Sequence, residues 1–244
     1  MGTTTTAGST GISLLQRLFR SSLLGYLALV SGTASIVLVF GYASDSMYGL
    51  SHGINLLAYW HIALAWIAAV ALTVTFVGCV LYLWRGTKFW EYLAHASGEI
   101  GFLFVTLTLV TGSVWGRVIW NTWWEWTDIR LVTFLIVWFI YAGYLLIYSG
   151  AGRSPKISKF ASVYGVVGFV TIPITYASTR LFTPTFHATT MGSADADATI
   201  TTSALLVTIL ATTLLYLYLV GSRVRLHELT ERVEALTERG RRVS

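Results

Sequence analysis

Two imidazoles and a dense run of indoles are the groups in this chain best suited to hold a ligand. His61 lies in Ala58-Tyr59-Trp60-His61-Ile62-Ala63, and His187 in Thr183-Pro184-Thr185-Phe186-His187. Between Trp115 and Asp128 the sequence W-G-R-V-I-W-N-T-W-W-E-W-T-D places five tryptophans and two acids in one short stretch. A neutral imidazole offers a lone pair to a transition metal. An indole keeps its ring dry and its N–H wet, which places it at a membrane–water interface, where a belt supplies about one or two per helix end. Five together suggest a platform for a large flat ligand.

Two imidazoles from separate segments can clamp iron from opposite faces of a macrocycle, so the ligand that fits both features is haem. Cys79 is the only cysteine, which excludes thioether attachment through a C-x-x-C-H pair and an internal disulfide. Such a haem is therefore a non-covalent, b-type one, with His61 and His187 as the metal ligands. Trp120, Trp123 and Trp124 have i, i+3, i+4 spacing, and a short helix there would set them on one face. Trp115 precedes them; Trp126, Asp128 and Arg130 fall near the start of the next apolar run. Arg117 and Arg130 suit haem propionates, since guanidinium pairs well with carboxylate. Asp128 either joins that ligand shell, holds Arg130, or caps a helix. The blander alternative makes the tryptophans an interfacial belt and the histidines interfacial polar residues.

The elements that position these groups are membrane helices. Of 244 residues, 55% are hydrophobic and 11% charged, a balance foreign to an ordinary soluble domain. Apolar runs long enough to cross a bilayer occur at about 22–42, 58–84, 93–114, 129–149, 160–182 and 199–220. The expected class is all-α, a polytopic membrane protein of six transmembrane helices. The first run lacks a convincing cleavage site and reads as a signal anchor. Thirteen of the 16 basic residues, all but Arg117, Arg130 and Arg180, flank one set of helix ends. By the positive-inside rule both termini are cytoplasmic in the plasma (inner) membrane, and the tryptophan segment faces outward. The net charge of +5 is then an orientation signal, and nucleic acid is not a partner.

Residues 1–221 are expected to form the transmembrane haem-handling domain and 222–244 a cytoplasmic tail. In that tail Leu226, Leu229, Val233 and Leu236 recur at helical spacing, as in a short amphipathic helix. His95 and Glu99 share a helix face near the inner surface and read as a paired polar patch. His52 is a weaker outer ligand candidate, and His227 belongs to the tail. No G-x-x-x-x-G-K-[ST] loop occurs, so ATP is not bound by that route.

The stretch Gly112-Ser113-Val114-Trp115-Gly116 through Asp128-Ile129-Arg130-Leu131 resembles the tryptophan-rich signature of the haem-handling membrane proteins of cytochrome c maturation, and six helices in so short a chain resemble their CcmC-type haem exporter subunit. Tyr59-Trp60-His61-Ile62-Ala63 and Pro173 through His187 match that family's two histidine regions. The sequence departs from the pattern at Thr127, which stands as an insertion, at Ala63, which replaces a proline, and at Leu181-Phe182, which replace paired tryptophans. The resemblance implies haem transfer: presentation of haem on the outer face and loading of a membrane-anchored CcmE-type haem chaperone. It also implies association with ATP-binding cassette subunits and a small membrane subunit. A b-type electron-carrier subunit and a haem-free permease are the rival readings.

Overall fold

The computed structural model describes residues 17, 19, 21–42, 52–150, 154–182 and 202–243. They form α1 (Ser22–Tyr42), α2 (His52–Arg85), α3 (Lys88–Ile119), α4 (Ile129–Gly150), α5 (Pro155–Gly168), α6 (Thr171–Leu181) and α7 (Thr202–Val243), with no strand among them. Hydrocarbon offers no partner for a peptide N–H or C=O, so a crossing segment must satisfy its own backbone, and these apolar runs do so as helices. Six segments are long and apolar enough to cross a membrane, α5 and α6 together supplying the fifth. The chain is a multi-pass, all-α membrane protein, as the composition predicts.

The helices are longer than the apolar runs. The second run, expected at 58–84, begins at His52, and the third, expected at 93–114, extends over Lys88–Ile119. With 34 and 32 residues, α2 and α3 measure roughly 50 Å against about 30 Å of hydrocarbon, so both project beyond it. Hydropathy reports where lipid ends, whereas backbone hydrogen bonding continues until a breaker intervenes. The last helix shows the same effect: α7 runs unbroken for 42 residues, from the apolar run through the tail, with Gly221 inside it.

The fifth span is interrupted at Phe169 and Val170. Pro173 lacks the N–H that would donate to the Phe169 carbonyl, and its ring crowds that carbonyl. The Thr171 hydroxyl instead donates to the Gly168 carbonyl at 2.6 Å, and the Phe169 ring stacks on Phe76 of α2 at 4.3 Å. At its start α5 is capped by Ser154, whose hydroxyl accepts from the Ile157 N–H, with Pro155 in the first turn.

The core lies where α2 and α3 meet α4, α5 and α7, around Ile67, Leu72, Phe104, Val137, Tyr141, Tyr144 and Tyr216. The α2–α3 turn passes through Gly86 at φ +68°, and its N–H donates to the Tyr82 carbonyl at 2.8 Å, a left-handed helix stop that glycine makes without strain. A Cβ built on Gly78 would meet the Ala94 Cβ at 2.9 Å and its backbone at 3.0 Å, so the two backbones are in direct contact. Hydroxyls bond across the remaining interfaces: Ser97 to the Ala71 carbonyl and Tyr216, Ser35 to Thr208, and the Trp138 indole to Thr106. α1 lies along α7 and exposes Leu29, Val30, Val37 and Phe40, the face expected to meet lipid.

Because Gly78 meets backbone rather than a yielding side chain, Gly78→Val forces α2 and α3 apart. The expected cost is about 1–3 kcal/mol, seen as a lower unfolding temperature in detergent, with Gly32→Val, which meets nothing within 4 Å, as the silent comparison.

Candidate functional site at the tryptophan-rich end

His61 is a half-buried residue of α2 whose imidazole is held by α3. Its Nδ1 lies 2.9 Å from the Thr111 hydroxyl oxygen. That hydroxyl is itself 2.8 Å from the Leu107 carbonyl, and a carbonyl can only accept. The one hydroxyl hydrogen serves Leu107 or Nδ1, and in both cases Thr111 anchors the Nδ1 side of the ring to α3. Metal-binding histidines are commonly oriented by such a bond at their second nitrogen. Gly112 makes room for the ring: a Cβ there would lie 3.0 Å from His61 Cε1. Trp115 follows Thr111 and Gly112 by one turn, so the imidazole and the first indole of the segment share a face of α3.

Beyond Ile119 the chain leaves the helix. Trp120 is the C-cap, its N–H donating to the Gly116 carbonyl, and Asn121 takes φ +56°, the left-handed conformation that asparagine tolerates better than most residues. Residues 120–128 are turns and irregular backbone, so Trp120, Trp123 and Trp124 do not lie on the face of a short helix. That expectation fails because the helix stop at Asn121 falls inside the spacing on which it was based. Trp123 and Trp126 are exposed while Trp120 and Trp124 are half-buried, and the Trp124 and Trp126 rings meet edge to face at 5.9 Å.

The acids of the segment hold its own backbone. Asp128 is fully buried, and its Oδ1 accepts from the N–H groups of Arg130 at 3.0 Å and Leu131 at 3.3 Å, which is the N-cap of α4. Glu125 accepts from the Thr127 N–H and hydroxyl, and these donors hold its carboxyl below the ordinary carboxylate range. Arg117 donates to both the backbone and side-chain oxygens of Asn121 at 2.7 Å, so it closes the C-terminal turn of α3. Arg130 differs: it is half-buried at the start of α4, in the field of Asp128 and Tyr176, and its guanidinium makes no hydrogen bond among the described residues. The Trp124 indole nitrogen is buried and likewise unbonded among them. Beside these donors an apolar cleft opens between α4 and α6, lined by Ile129, Pro173, Ile174, Ala177, Leu181 and Phe182.

The structure thus brings together His61, Trp115, Trp120, Trp123, Trp124, Trp126, Arg117, Asp128 and Arg130 around the α3–α4 connection and the neighbouring end of α2. His187 lies outside the described residues, and so does the side chain of His52. Thr111 and Gly112 act on His61 without having been singled out by sequence, because a threonine and a glycine inside an apolar run carry no signal until the facing helix is known. His95 and Glu99 sit at the other end of α3 in a helix contact, where Arg223 donates to both Glu99 carboxylate oxygens.

Residues 6–239 match the family model described as heme exporter protein C. The chain is 31% identical over 185 residues to the heme exporter protein C of Bradyrhizobium diazoefficiens, covering 72% of this chain and 67% of that one. It is 26% identical over 219 residues to the protein of the same description from Paracoccus denitrificans, covering 87% and 90%. It is also 31% identical over 153 residues to a putative cytochrome c biosynthesis ccmC-like mitochondrial protein of Marchantia polymorpha, where the match spans 62% of each chain.

Loss of the Asp128 cap has a defined cost. Asp128→Ala is expected to lower stability by about 1 kcal/mol, while Asp128→Asn, which retains a capping oxygen, loses much less. Equal losses in thermal unfolding would show that the carboxylate charge, rather than the cap, is what matters there.

Proposed function

Since this chain belongs to the heme exporter protein C family, we propose that it serves haem export for cytochrome c maturation by presenting non-covalently held haem b on the outer face of the plasma membrane, with both termini cytoplasmic. The observation that carries the reading is the His61–Thr111 pair. It holds the imidazole against α3 through Nδ1, on the helix face that leads into the tryptophans. When bound, haem would supply an iron centre that takes imidazole nitrogen, and His61 and His187 would hold it. Trp115, Trp120, Trp123, Trp124 and Trp126 provide flat apolar surface, and the cleft between α4 and α6 extends it.

The donors at this end suit the propionates. Among the described residues the Arg130 guanidinium and the buried Trp124 indole N–H have no hydrogen-bond partner, and a carboxylate would satisfy both. Arg117 is positioned to contribute, although its Asn121 bonds make it first a support for the turn. Asp128 acts through the backbone that it caps. The exposed rings of Trp123 and Trp126 face outward from the site, where a CcmE-type chaperone would approach to receive haem. ATP-binding cassette subunits and a small membrane subunit complete the proposed assembly and supply the ATP-binding motif that this sequence lacks.

The reading is tested on purified protein and in cells. His61→Ala and His187→Ala should each lose or alter the visible spectrum of bound haem and abolish covalent haem on the chaperone. Thr111→Val, which removes the anchor and keeps the shape, should retain His61 and bind haem about 10–100-fold more weakly. A Thr111→Val protein with wild-type affinity would remove the argument from the anchored imidazole. In a separate measurement, replacing Trp120, Trp123 and Trp124 together by Ala should leave the protein in the membrane at normal levels but fail to load the chaperone. Normal loading would reduce the segment to an interfacial anchor.

A further inference from the structure

At the opposite end of the bundle, α3 and α7 bring two imidazoles and a carboxylate together in a buried sector. His95 and His227 are 6% and 5% exposed, well over nine-tenths buried, and Glu99 lies between them. His95 Nε2 is 3.3 Å from Glu99 Oε1 and His227 Nε2 is 3.8 Å from Glu99 Oε2. The second distance is too long for a hydrogen bond, and His227 Nε2 is a buried nitrogen without a hydrogen-bond partner among the described residues. One ligand atom from each of the three residues can be chosen so that all lie within 4.8 Å of one another. In a tetrahedral site with bonds of about 2.1 Å, ligand atoms stand about 3.4 Å apart, so closing on an ion needs only small side-chain shifts.

The surroundings fix these rings and favour a cation. His95 stacks on Tyr148 with centroids 3.6 Å apart, and His227 stacks on Tyr92 at 5.7 Å. The Tyr148 hydroxyl donates to Glu91 and the Tyr92 hydroxyl to Glu231, so both stacking rings are themselves anchored. Arg223 forks onto Glu99 at 2.5 and 2.7 Å, and Lys88 lies 3.2 Å from Glu91 and 3.7 Å from Glu231. Three carboxylates, Glu91, Glu99 and Glu231, thus face two fixed cations, Lys88 and Arg223, which leaves one net negative charge before the imidazoles are counted. A carboxylate has about four lone-pair positions. Arg223 takes the pair on one edge, and a metal can use another.

We propose that His95, Glu99 and His227 form a binding site for one divalent transition-metal cation of the zinc class, joining α3 to the extended part of α7. Two imidazoles and one carboxylate are the donor set that such ions prefer, whereas calcium and magnesium ask for oxygen. A water molecule completes the coordination. Arg223, bonded to the carboxylate, orients it from the outer shell. The bound ion cross-links the helix that leaves the bundle to the helix that carries Thr111 and Trp115 at its far end.

The test uses untagged full-length protein in detergent, titrated with cobalt(II) as the optical probe and then with zinc. The expected result is about one cobalt per chain, with the intense visible bands of a four-coordinate ion, displaced by zinc, and a zinc-dependent rise in the unfolding temperature. His95→Ala and His227→Ala should each weaken binding at least tenfold, while His61→Ala keeps it. If a variant fails to fold, the wild-type titration still decides the matter. Absence of both the bands and the thermal shift in the wild type overturns the proposal, as does a signal that survives both histidine changes or disappears in His61→Ala.

Discussion

The contact between the backbones of α2 and α3 sets the register on which the rest of the molecule depends. Gly86 forms the turn, and the paired positions lie symmetrically about it. Gly78 and Ala94, in van der Waals contact, are eight residues before and after it; Ala71 and Gly101, also in contact, are fifteen; His61 and Thr111, joined by a hydrogen bond, are twenty-five. Two antiparallel helices keep such a register only while their faces stay opposed, and one inserted residue rotates a helix by about 100°. A left-handed glycine in the turn and a glycine at the tightest crossing therefore determine, roughly 37 Å away, which threonine the imidazole meets. Small residues are what permit this approach, since within lipid the helices gain from close packing and hydrogen bonds rather than from burial of apolar surface.

This dependence separates what the sequence reveals from what it conceals. The six spans are legible because hydrocarbon imposes length and composition on each segment independently of every other. Helix ends are less so: His52 to Ala58, Lys88 to Tyr92 and the tail after Gly221 carry polar groups that end an apolar run without ending a helix. The interruption of the fifth span follows from Pro173 alone. The irregular path at 120–128 is written in a single residue, Asn121, whose left-handed conformation outweighs the helical spacing of Trp120, Trp123 and Trp124. His61 was legible as a candidate ligand by type and position. Its anchor was not, because Thr111 becomes a partner only through the pairing of two helices.

The two ends of α3 place ionisable groups in opposite circumstances. At the Lys88 end, side chains from α3, α4, α5 and α7 bond to one another: Glu91 to Tyr148 and Ser158, Glu99 to Arg223 and His95. At the Ile119 end, the acids serve backbone N–H groups a few residues away, Glu125 at Thr127 and Asp128 at Arg130 and Leu131. The first arrangement ties helices together. The second stiffens a connection that has left the helix and must still be held in shape beside a membrane.

The way these acids are placed bears on the chemical character of the tryptophan end. Asp128 is buried where it caps α4 and the Trp124 N–H is also buried, while the rings of Trp123 and Trp126 are the exposed indoles of the segment. Indole surface together with guanidinium and N–H donors suits a flat, largely apolar molecule that carries carboxylates. On the proposed reading, affinity would be distributed unevenly around such a ligand. One side would meet an imidazole held by Thr111 and Gly112 between two long helices, and the other would meet rings on a connection that owes its shape to a cap and a turn. A protein that must release what it holds benefits from this inequality, because the weaker side can be exchanged for a partner's surface while the ligand stays attached to the stronger.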